Sequence, residues 1–344
     1  MAINYSYIKE KLRKSSLYRL INYDKTSLDE FARKINLANS TMGINQIRKK
    51  LKMAYIIYGC DYKTYYQCRC DMISLPCISE IVPWKEQWSL WKKINSKDAR
   101  SLLSNKYICF EHFKVFYRRN VIFVKGLECK NKFIDFINKN QTFILKPIDM
   151  NCGKGIVIID YANDDISVDE LIALYPDGFV AEELIVQKES LRCFHPQSVN
   201  TLRINTVNYG NFIEIKWPCL RMGRGNNIVD NAGAGGVFGA IDVASGRVIA
   251  ASDEFHHTFD VHPDTGVPIV GFKLPQWNEA CEMAKQLAVL IPDCLFVGWD
   301  FAYTENGWVM VEGNYGPLLI WQVAMGRGIR KEFEIMRRKL TCVN

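Results

Sequence analysis

The hydrophobic rhythm of the chain changes near residue 121, and this change constrains the fold more than any other feature. Before it, apolar residues recur at spacings of three and four with basic residues between them. Ile44, Ile47, Leu51, Ala54, Tyr55 and Tyr58 are one such series, and the segments SLDEFARKI, GINQIRKKLKMAYIIYGC, EQWSLWKKI and SKDARSLLSNKYICFEHFKVFYRR all read as helices. After it come short runs rich in β-branched and aromatic residues: 121–124, 143–148, 155–160, 178–184, 200–207, 214–223, 236–242, 248–252, 295–303 and 308–314. Helical patterning returns at 168–175, at 275–290 and in the terminal RGIRKEFEIMRRKL. The fold class expected is therefore α+β, with mostly antiparallel sheets covered by helices. Ser27 with Glu30 fits a capping box and would open the first of the central helices. Ser96 would cap a later one more weakly, because Ala99 stands where the box needs Glu or Gln.

At 344 residues the chain can bury one large core or two medium ones. Its net charge of +7 suits an anionic substrate. The basic residues form no long block, which argues against a nucleic-acid partner. Residues 5–20 make a basic amphipathic stretch, with Tyr5, Ile8, Leu12 and Leu17 among Lys9, Lys11, Arg13 and Lys14. A helix packed on the body is the simpler reading, and weak association with a membrane surface or polysaccharide machinery is the other. No apolar run reaches the length of a signal sequence or a membrane span, so the expected location is cytoplasmic. The twelve cysteines are then reduced thiols. Cys60, Cys68, Cys70 and Cys77 lack the paired C-x-x-C spacing of a zinc site, and free thiols are expected there.

Two segments carry chemistry. In FILKPIDMNCGKGIVIID, two strands flank a loop holding Gly153, Lys154 and Gly155. Glycines let backbone amides approach phosphate oxygens and a lysine adds positive charge, although an ordinary glycine hairpin has the same pattern. There is no G-K-[ST] leading into a helix, so this is not a P-loop. Lys146, inside the first of these strands, is a candidate phosphate ligand.

The second segment, FVGWDFAYTENGWVMVEGNYGP, reads as a hairpin. Glu312 and Asn314 share a strand face. A three-residue loop places Asp300 opposite Glu312, whereas a two-residue turn at Asn306-Gly307 places it opposite Gly313. In the first register two carboxylates and an amide oxygen converge in a hard-oxygen set suited to magnesium bound through phosphates. Trp299, Phe301, Val309 and Val311 would fill the other face.

Taken in order, Asn105-Lys106, Lys146-Pro147, Gly153-Lys154-Gly155, Glu182-Glu183-Leu184-Ile185, the run from Ser198 to Arg203, Arg221-Met222-Gly223, Val229-Asp230-Asn231, Gly235-Gly236, Gly298-Trp299-Asp300 and Glu312-Gly313-Asn314 resemble the ATP-grasp superfamily. In detail they resemble its sugar-transfer-associated branch, over about 100–325. The resemblance implies an ATP-grasp fold, two α+β subdomains gripping ATP, preceded by a helical region. Residues 1–95 would be that helical region and 96–344 the ATP-grasp domain. A nucleotide-gripping part would span about 120–185 and a metal-binding part about 186–330.

It further implies ATP and Mg2+ as cofactors. Lys106 and Lys146 would meet the nucleotide phosphates. Glu182, Glu183, Leu184 and Ile185 would hold adenine, and Glu189, with Gln187 as a near alternative, the ribose. Asp300, Glu312 and Asn314 would bind magnesium, and Arg203 and Arg221 would face the moving phosphoryl group. Simpler structural roles exist for several: Glu182 and Glu183 as a charged strand end, Arg203 as an exposed strand residue, and Asp230 and Asn231 as turn formers. His256 and His257 are adjacent and would face opposite ways in a strand.

The chemistry implied is carboxylate–amine ligation through an acyl phosphate, with a small-molecule or sugar carboxylate and an amine as partners in surface-polysaccharide synthesis. Other classes open to the same residues are a non-catalytic or kinase-like ATP-binding protein, and a basic nucleic-acid or membrane-surface adaptor.

Overall fold

The computed structural model describes residues 15–38, 42–148, 155–164 and 166–341. All ten strand runs form, and every strand pairing is antiparallel. The smaller sheet contains β1 (Val121–Val124), β2 (Thr142–Pro147), β3 (Val157–Asp160) and β4 (Phe179–Glu183) in the order β1-β4-β2-β3. The larger contains β5 (Thr201–Asn208), β6 (Ile213–Met222), β7 (Val237–Asp242), β8 (Arg247–Ser252), β9 (Phe296–Thr304) and β10 (Gly307–Asn314) in the order β10-β9-β5-β6-β7-β8. This is a mixed helix-and-sheet architecture, α+β as expected, with helices ahead of the two sheets.

The helices of the first third begin where local capping chemistry allows. The first central helix spans Lys25–Ala38 and starts ahead of Ser27. Asp24 supplies its cap: its carboxylate accepts the backbone N–H groups of Thr26 and Ser27, and the Ser27 hydroxyl as well, so the Ser27–Glu30 box is not the start. Ser96 does cap Lys97–Ser104, accepting the N–H of Ala99 at 3.1 Å. Asn105 then ends that helix and caps the next, Lys106–Tyr117. A helix at Lys130–Lys139, which strand and turn patterning passes over, covers the smaller sheet. Leu17 and Ile21, in the short helix Ser16–Ile21, are 66% and 72% exposed. That helix is tied to the body by Arg19, which donates to the carbonyls of Ile56 and Ile57. The rest of the basic stretch, before residue 15, lies outside the described residues. No helix among the described residues is long and apolar enough to cross a membrane.

The two faces of the larger sheet are used differently. Leu202, Ile204, Leu220, Met222 and Val237 pack with the helix Trp277–Val289. Cys219, Phe238 and Ala240 on the other face share a core with Ala32, Ile47, Leu51 and Tyr65 of the helical first third, and with Ile320 and Val323. Cys60, Cys68 and Cys70 are buried in that second core and Cys77 is exposed. Burial pushes the Cys68 thiol well up, and no group of three or more His, Cys, Asp or Glu suited to a metal ion occurs among the described residues.

Two polar devices fasten the layers. Asn95 is buried; its amide donates to the carbonyls of Phe296 and Tyr315 and accepts the N–H of Phe296. It therefore pins the start of β9 to the segment that follows β10. Glu182, on β4, is paired with Lys146 of the neighbouring strand at 2.9 Å and with Arg119 at 2.8 Å. Arg119 also donates to the carbonyl of Met310 at 2.6 Å, so one guanidinium joins the smaller sheet to β10 of the larger. Burial alone would raise the Glu182 pKa. Lys146 and then Arg119 outweigh it and hold the carboxyl at about 2.

Two outcomes follow from these contacts. Replacing Asn95 by Ala strands two carbonyls and one N–H, and urea titration should show a loss of about 3 kcal/mol. For Glu182 the folded pKa lies below the ordinary 4.5. Its contribution is therefore present above that value and lost as pH falls from about 4.5 towards 2; it should be on the order of 3 kcal/mol. Acid unfolding of Glu182→Gln should accordingly lack the component the parent loses across that window, while the variant is weaker at neutral pH.

Candidate active site

The hairpin β9–β10 turns through Glu305 and Asn306, with Gly307 opposite Thr304, so neither loop considered from sequence is formed. Counted from this turn alone, Asp300 would fall opposite Val311. A β-bulge between Met310 and Glu312 inserts one residue and places Asp300 opposite Glu312. The expected constellation is thus present, but a bulge produces it. Next to β9, Asp300 also pairs with Arg203 of β5, and Arg221 on β6 pairs with Thr201. Directly opposed residues share a sheet face, so Glu312, Asp300 and Arg203 stand in a row across three strands.

The side chains close this row into a network. Arg203 binds Asp300 with two nitrogens, Nε to Oδ1 and Nη2 to Oδ2 at 2.7 Å. Arg221 donates from Nη1 to the same Oδ2 at 2.9 Å. The other edge of Arg221 meets Asp230 Oδ1 at 2.9 Å and the side-chain oxygen of Asn231. Asp230 also accepts the Thr201 hydroxyl and the Thr201 N–H at 3.0 Å. Asn314 donates to Glu312 at 3.0 Å and lies 3.4 Å from Asp300. Arg203 is largely covered and committed to Asp300 rather than exposed on the strand, its side chain 11% exposed, and Asp230 and Asn231 reach back to hold Arg221 as well as bounding a turn. Gly236 is required in that turn: a Cβ there would lie 2.5 Å from the Asp230 carbonyl.

Electrostatics separates the two carboxyls. Burial would raise Asp300, but Arg203 and Arg221 beside it hold it below the usual carboxylate range. Glu312 is pushed up, first by burial and then by the charge of Asp300. Two crowded carboxyls, one of them resisting ionisation, form a hard-oxygen pair that a divalent cation would relieve; Asn314, whose Nδ2 faces both here, would join them by turning its amide oxygen inward. The set is small, so such a cation would need further oxygens from a phosphate ligand.

The nucleotide-side residues are more dispersed. Lys106 opens its helix and donates to the Pro147 carbonyl at 2.9 Å. Lys146 points to the same side as Glu182 and pairs with it. Glu182 is therefore no free strand-end charge, and Glu183 accepts from the backbone and side chain of Asn120. Leu184 and Ile185 are half-buried just past β4. Gly155 has φ +70, whereas Gly153 and Lys154 lie outside the described residues. Glu189 is exposed and lies 3.8 Å from Arg192. Gln187 is buried and committed to the Asn200 backbone, which removes it as an alternative. Arg119, the link between Glu182 and the bulged strand, escaped sequence reasoning; its only signal was a basic pair at the mouth of β1.

No curated protein matches the chain. Among solved structures it is similar to the ATP-grasp ligase PsnB complexed with a minimal precursor (11% identity, TM-score 0.44, covering 72% of this chain and 64% of that one). It is also similar to D-alanyl-alanine synthetase A from Vibrio cholerae (10% identity, TM-score 0.44, covering 72% and 66%). A third is the ADP complex of N5-carboxyaminoimidazole ribonucleotide synthetase (12% identity, TM-score 0.41, covering 71% and 55%). The chain thus spans less than two thirds of the length of these structures. The family model described as sugar-transfer associated ATP-grasp matches residues 86–337, well over half of the chain and the whole of the site above. The chain belongs to the sugar-transfer-associated ATP-grasp family.

Proposed function

We propose that this protein is an ATP-dependent carboxylate–amine ligase that works through an acyl phosphate and forms an amide on a sugar carboxylate, such as a uronic acid, for surface polysaccharides. The observation that carries this reading is the row of Glu312, Asp300 and Arg203, which runs from an exposed acid to a buried one, with Arg221 and Asn314 closing on it. Two cations and two carboxyls on one sheet face suit the transfer of a highly charged group and little else. The sugar half of the proposal rests on the family's association with sugar transfer.

In this reading the smaller sheet holds ATP. Lys106, Lys146 and the Gly153–Lys154–Gly155 loop meet its phosphates, Glu182 to Ile185 the adenine and Glu189 the ribose. Asp300, Glu312 and Asn314 would hold magnesium. When bound, that ion neutralises charge on the phosphates. The substrate carboxylate attacks the γ-phosphorus, ADP leaves, and an amine then displaces phosphate from the acyl carbon. Arg203 and Arg221 face this phosphoryl group. Arg221 is suited to the task because Asp230 and Asn231 keep it in place whenever Asp300 is shared with a cation. Fixed guanidinium groups in a buried site need no reorganisation as charge moves.

The direct test is ADP release from magnesium-ATP with panels of uronic acids and amines. Release that requires one member of each panel supports the reading, and release that requires neither overturns it. Glu312→Gln gives a sharper result. The native carboxyl is raised by burial and by Asp300, so its stabilising contribution exists only at low pH and is lost as pH rises through the raised folded value. The glutamine variant should therefore be as stable as the parent, or slightly more so, at pH 7 in the absence of magnesium and nucleotide. Its ADP release should nonetheless fall by about a hundredfold or more. Thermal melts and the release assay measure the two effects separately.

A further inference from the structure

The turn after β8 carries a second polar cluster. Asp253 is fully buried, and one of its oxygens holds two side chains: Arg224 Nη1 at 3.0 Å and His257 Nδ1 at 2.8 Å. Its other oxygen accepts the N–H groups of Phe255 at 2.8 Å and His257 at 3.1 Å, which shapes the turn itself. The His257 ring is 59% exposed, and its Nε2 has no hydrogen-bond partner among the described residues. Arg224 lies over the Phe259 ring at 5.9 Å, with His257 at 6.3 Å from the same ring. Gly235 faces Arg224 Nη2 with no side chain between. A buried carboxylate that fixes one imidazole nitrogen and leaves the other open is an arrangement for moving a proton.

The cluster lies at the site end of the larger sheet. Ser252, the residue before Asp253, pairs with Phe238, and Phe238 pairs with Arg221. Two strand spacings, about 10 Å, separate the backbone of Arg221 from that of Ser252. The loop from Gly223 to Gly236 runs from one cluster to the other: Arg224 follows Arg221 by three residues, and Asn227 donates to the carbonyls of Arg224 and Ala234.

The turn is also held from outside. His256 has φ +75, a left-handed conformation costing a non-glycine residue roughly 1–3 kcal/mol, and such strain persists only where surrounding contacts impose it. Here the helical first third imposes it. Asp71 accepts from His256 at 2.7 Å, Tyr66 donates to the Phe255 carbonyl at 3.1 Å, and the Tyr66 and His256 rings lie 5.5 Å apart.

We propose that Arg224 and His257 form the acceptor subsite of the ligase described above: Arg224 binds a carboxylate carried by the incoming amine, and His257 is the base that deprotonates that amine. The assignment rests on the ligase reading and makes the acceptor an amino acid rather than a simple amine. A guanidinium beside an open imidazole selects a ligand with an anionic group next to its nitrogen. His257 Nε2 takes one proton from the ammonium. The freed lone pair forms the C–N bond to the acyl carbon as the C–O bond to phosphate breaks, and phosphate leaves with that electron pair. The second proton shed by the nitrogen goes to the departing phosphate, and His257 returns its own to solvent. Asp253 is a positioning residue that fixes the His257 tautomer. Around this dyad, Arg224 on the neighbouring loop and Arg69 and Tyr66 from the helical first third interact with Asp253, Asp71 pairs with the adjacent His256, and Glu254 lies in the same turn.

The test compares glycine, glycinamide and ethylamine as acceptors with glucuronic and galacturonic acids as donors, following ADP and amide separately. Glycine should exceed the other two at least tenfold in kcat/KM, and Arg224→Met should abolish that preference through KM. His257→Gln should lower amide formation at pH 7 by about a hundredfold. It should recover as pH rises towards the amine's own pKa, while donor-dependent ADP release continues, so that ADP exceeds amide. A His257→Gln enzyme with the parent pH profile, or equal use of glycine and glycinamide, overturns the proposal and leaves the ligase reading standing. If the parent shows no donor-dependent ADP release, the ligase reading falls. The subsite is then judged by calorimetric titration with glycine: binding weakened tenfold by Arg224→Met retains it, and absence of binding overturns it.

Discussion

The site depends on a carboxylate at position 300 that two arginines hold ionised inside the protein. Removing Asp300, Arg203 and Arg221 from water costs several kcal/mol per ion, and their mutual attraction repays this only when the geometry is close and the remaining donors are satisfied. Here the geometry is close: Arg203 is bidentate on Asp300, and Arg221 divides its nitrogens among Asp300, Asp230 and Asn231. A well-packed apolar cluster of the same volume would stabilise the sheet as well or better. The network is therefore weak evidence for stability and better evidence for a task that needs fixed charge. Glu312 supports this view. It places a second, more exposed acid beside the buried one, and the field of Asp300 opposes its ionisation.

The second constraint is mechanical. Lys146 lies on the smaller sheet and the carboxylates on the larger, and the two sheets are tied to each other. Arg119 provides one fixed point, with Glu182 on one side and the carbonyl of Met310 on the other. Met310 is the residue at which the β9–β10 register shifts. The same guanidinium thus supports the bulged strand that brings Glu312 opposite Asp300 and neutralises the acid that holds Lys146.

Much of the architecture could be read from residue patterns because it depends on local periodicity. Each strand run lay between turn residues, and the helices carried their apolar stripes. The exceptions depended on contacts that periodicity does not record. Asp24 rather than Ser27 caps the first central helix because a carboxylate one turn earlier can accept two backbone N–H groups and the Ser27 hydroxyl together. Loop length leaves two registers open for Asp300, and the turn that forms gives neither of them; a bulge brings Asp300 opposite Glu312, and bulges leave no reliable mark in a single sequence. Arg203, Arg221, Asp300, Glu312 and Asn314 were all identifiable as residues of interest. That Asp230 and Asn231 clamp Arg221, and that Arg119 bridges the sheets, required knowing which strands are neighbours.

Length patterning also hides the relation of the helical first third to the rest. Its helices look separable in sequence, but Ala32, Ile47, Leu51 and Tyr65 share a core with Cys219, Phe238 and Ala240, which lie on the sheet face that carries Arg203 and Arg221. Arg69 donates to the carbonyls of Val323 and Ala324 from the same region. Together with the Asp71–His256 pair and the Tyr66 contact to Phe255, these bonds make the helical region one wall of the space beside the Gly233–Gly236 loop. The bonds that Asp253 makes within the turn reach the residues on either side of His256, whereas the His256 side chain is held from outside the turn. The energy that holds it comes from Asp71 and Tyr66. The orientation of His257 is thus set partly by residues nearly two hundred positions earlier in the chain, which makes the helical segment a structural component of the proposed acceptor subsite rather than an appendage to it.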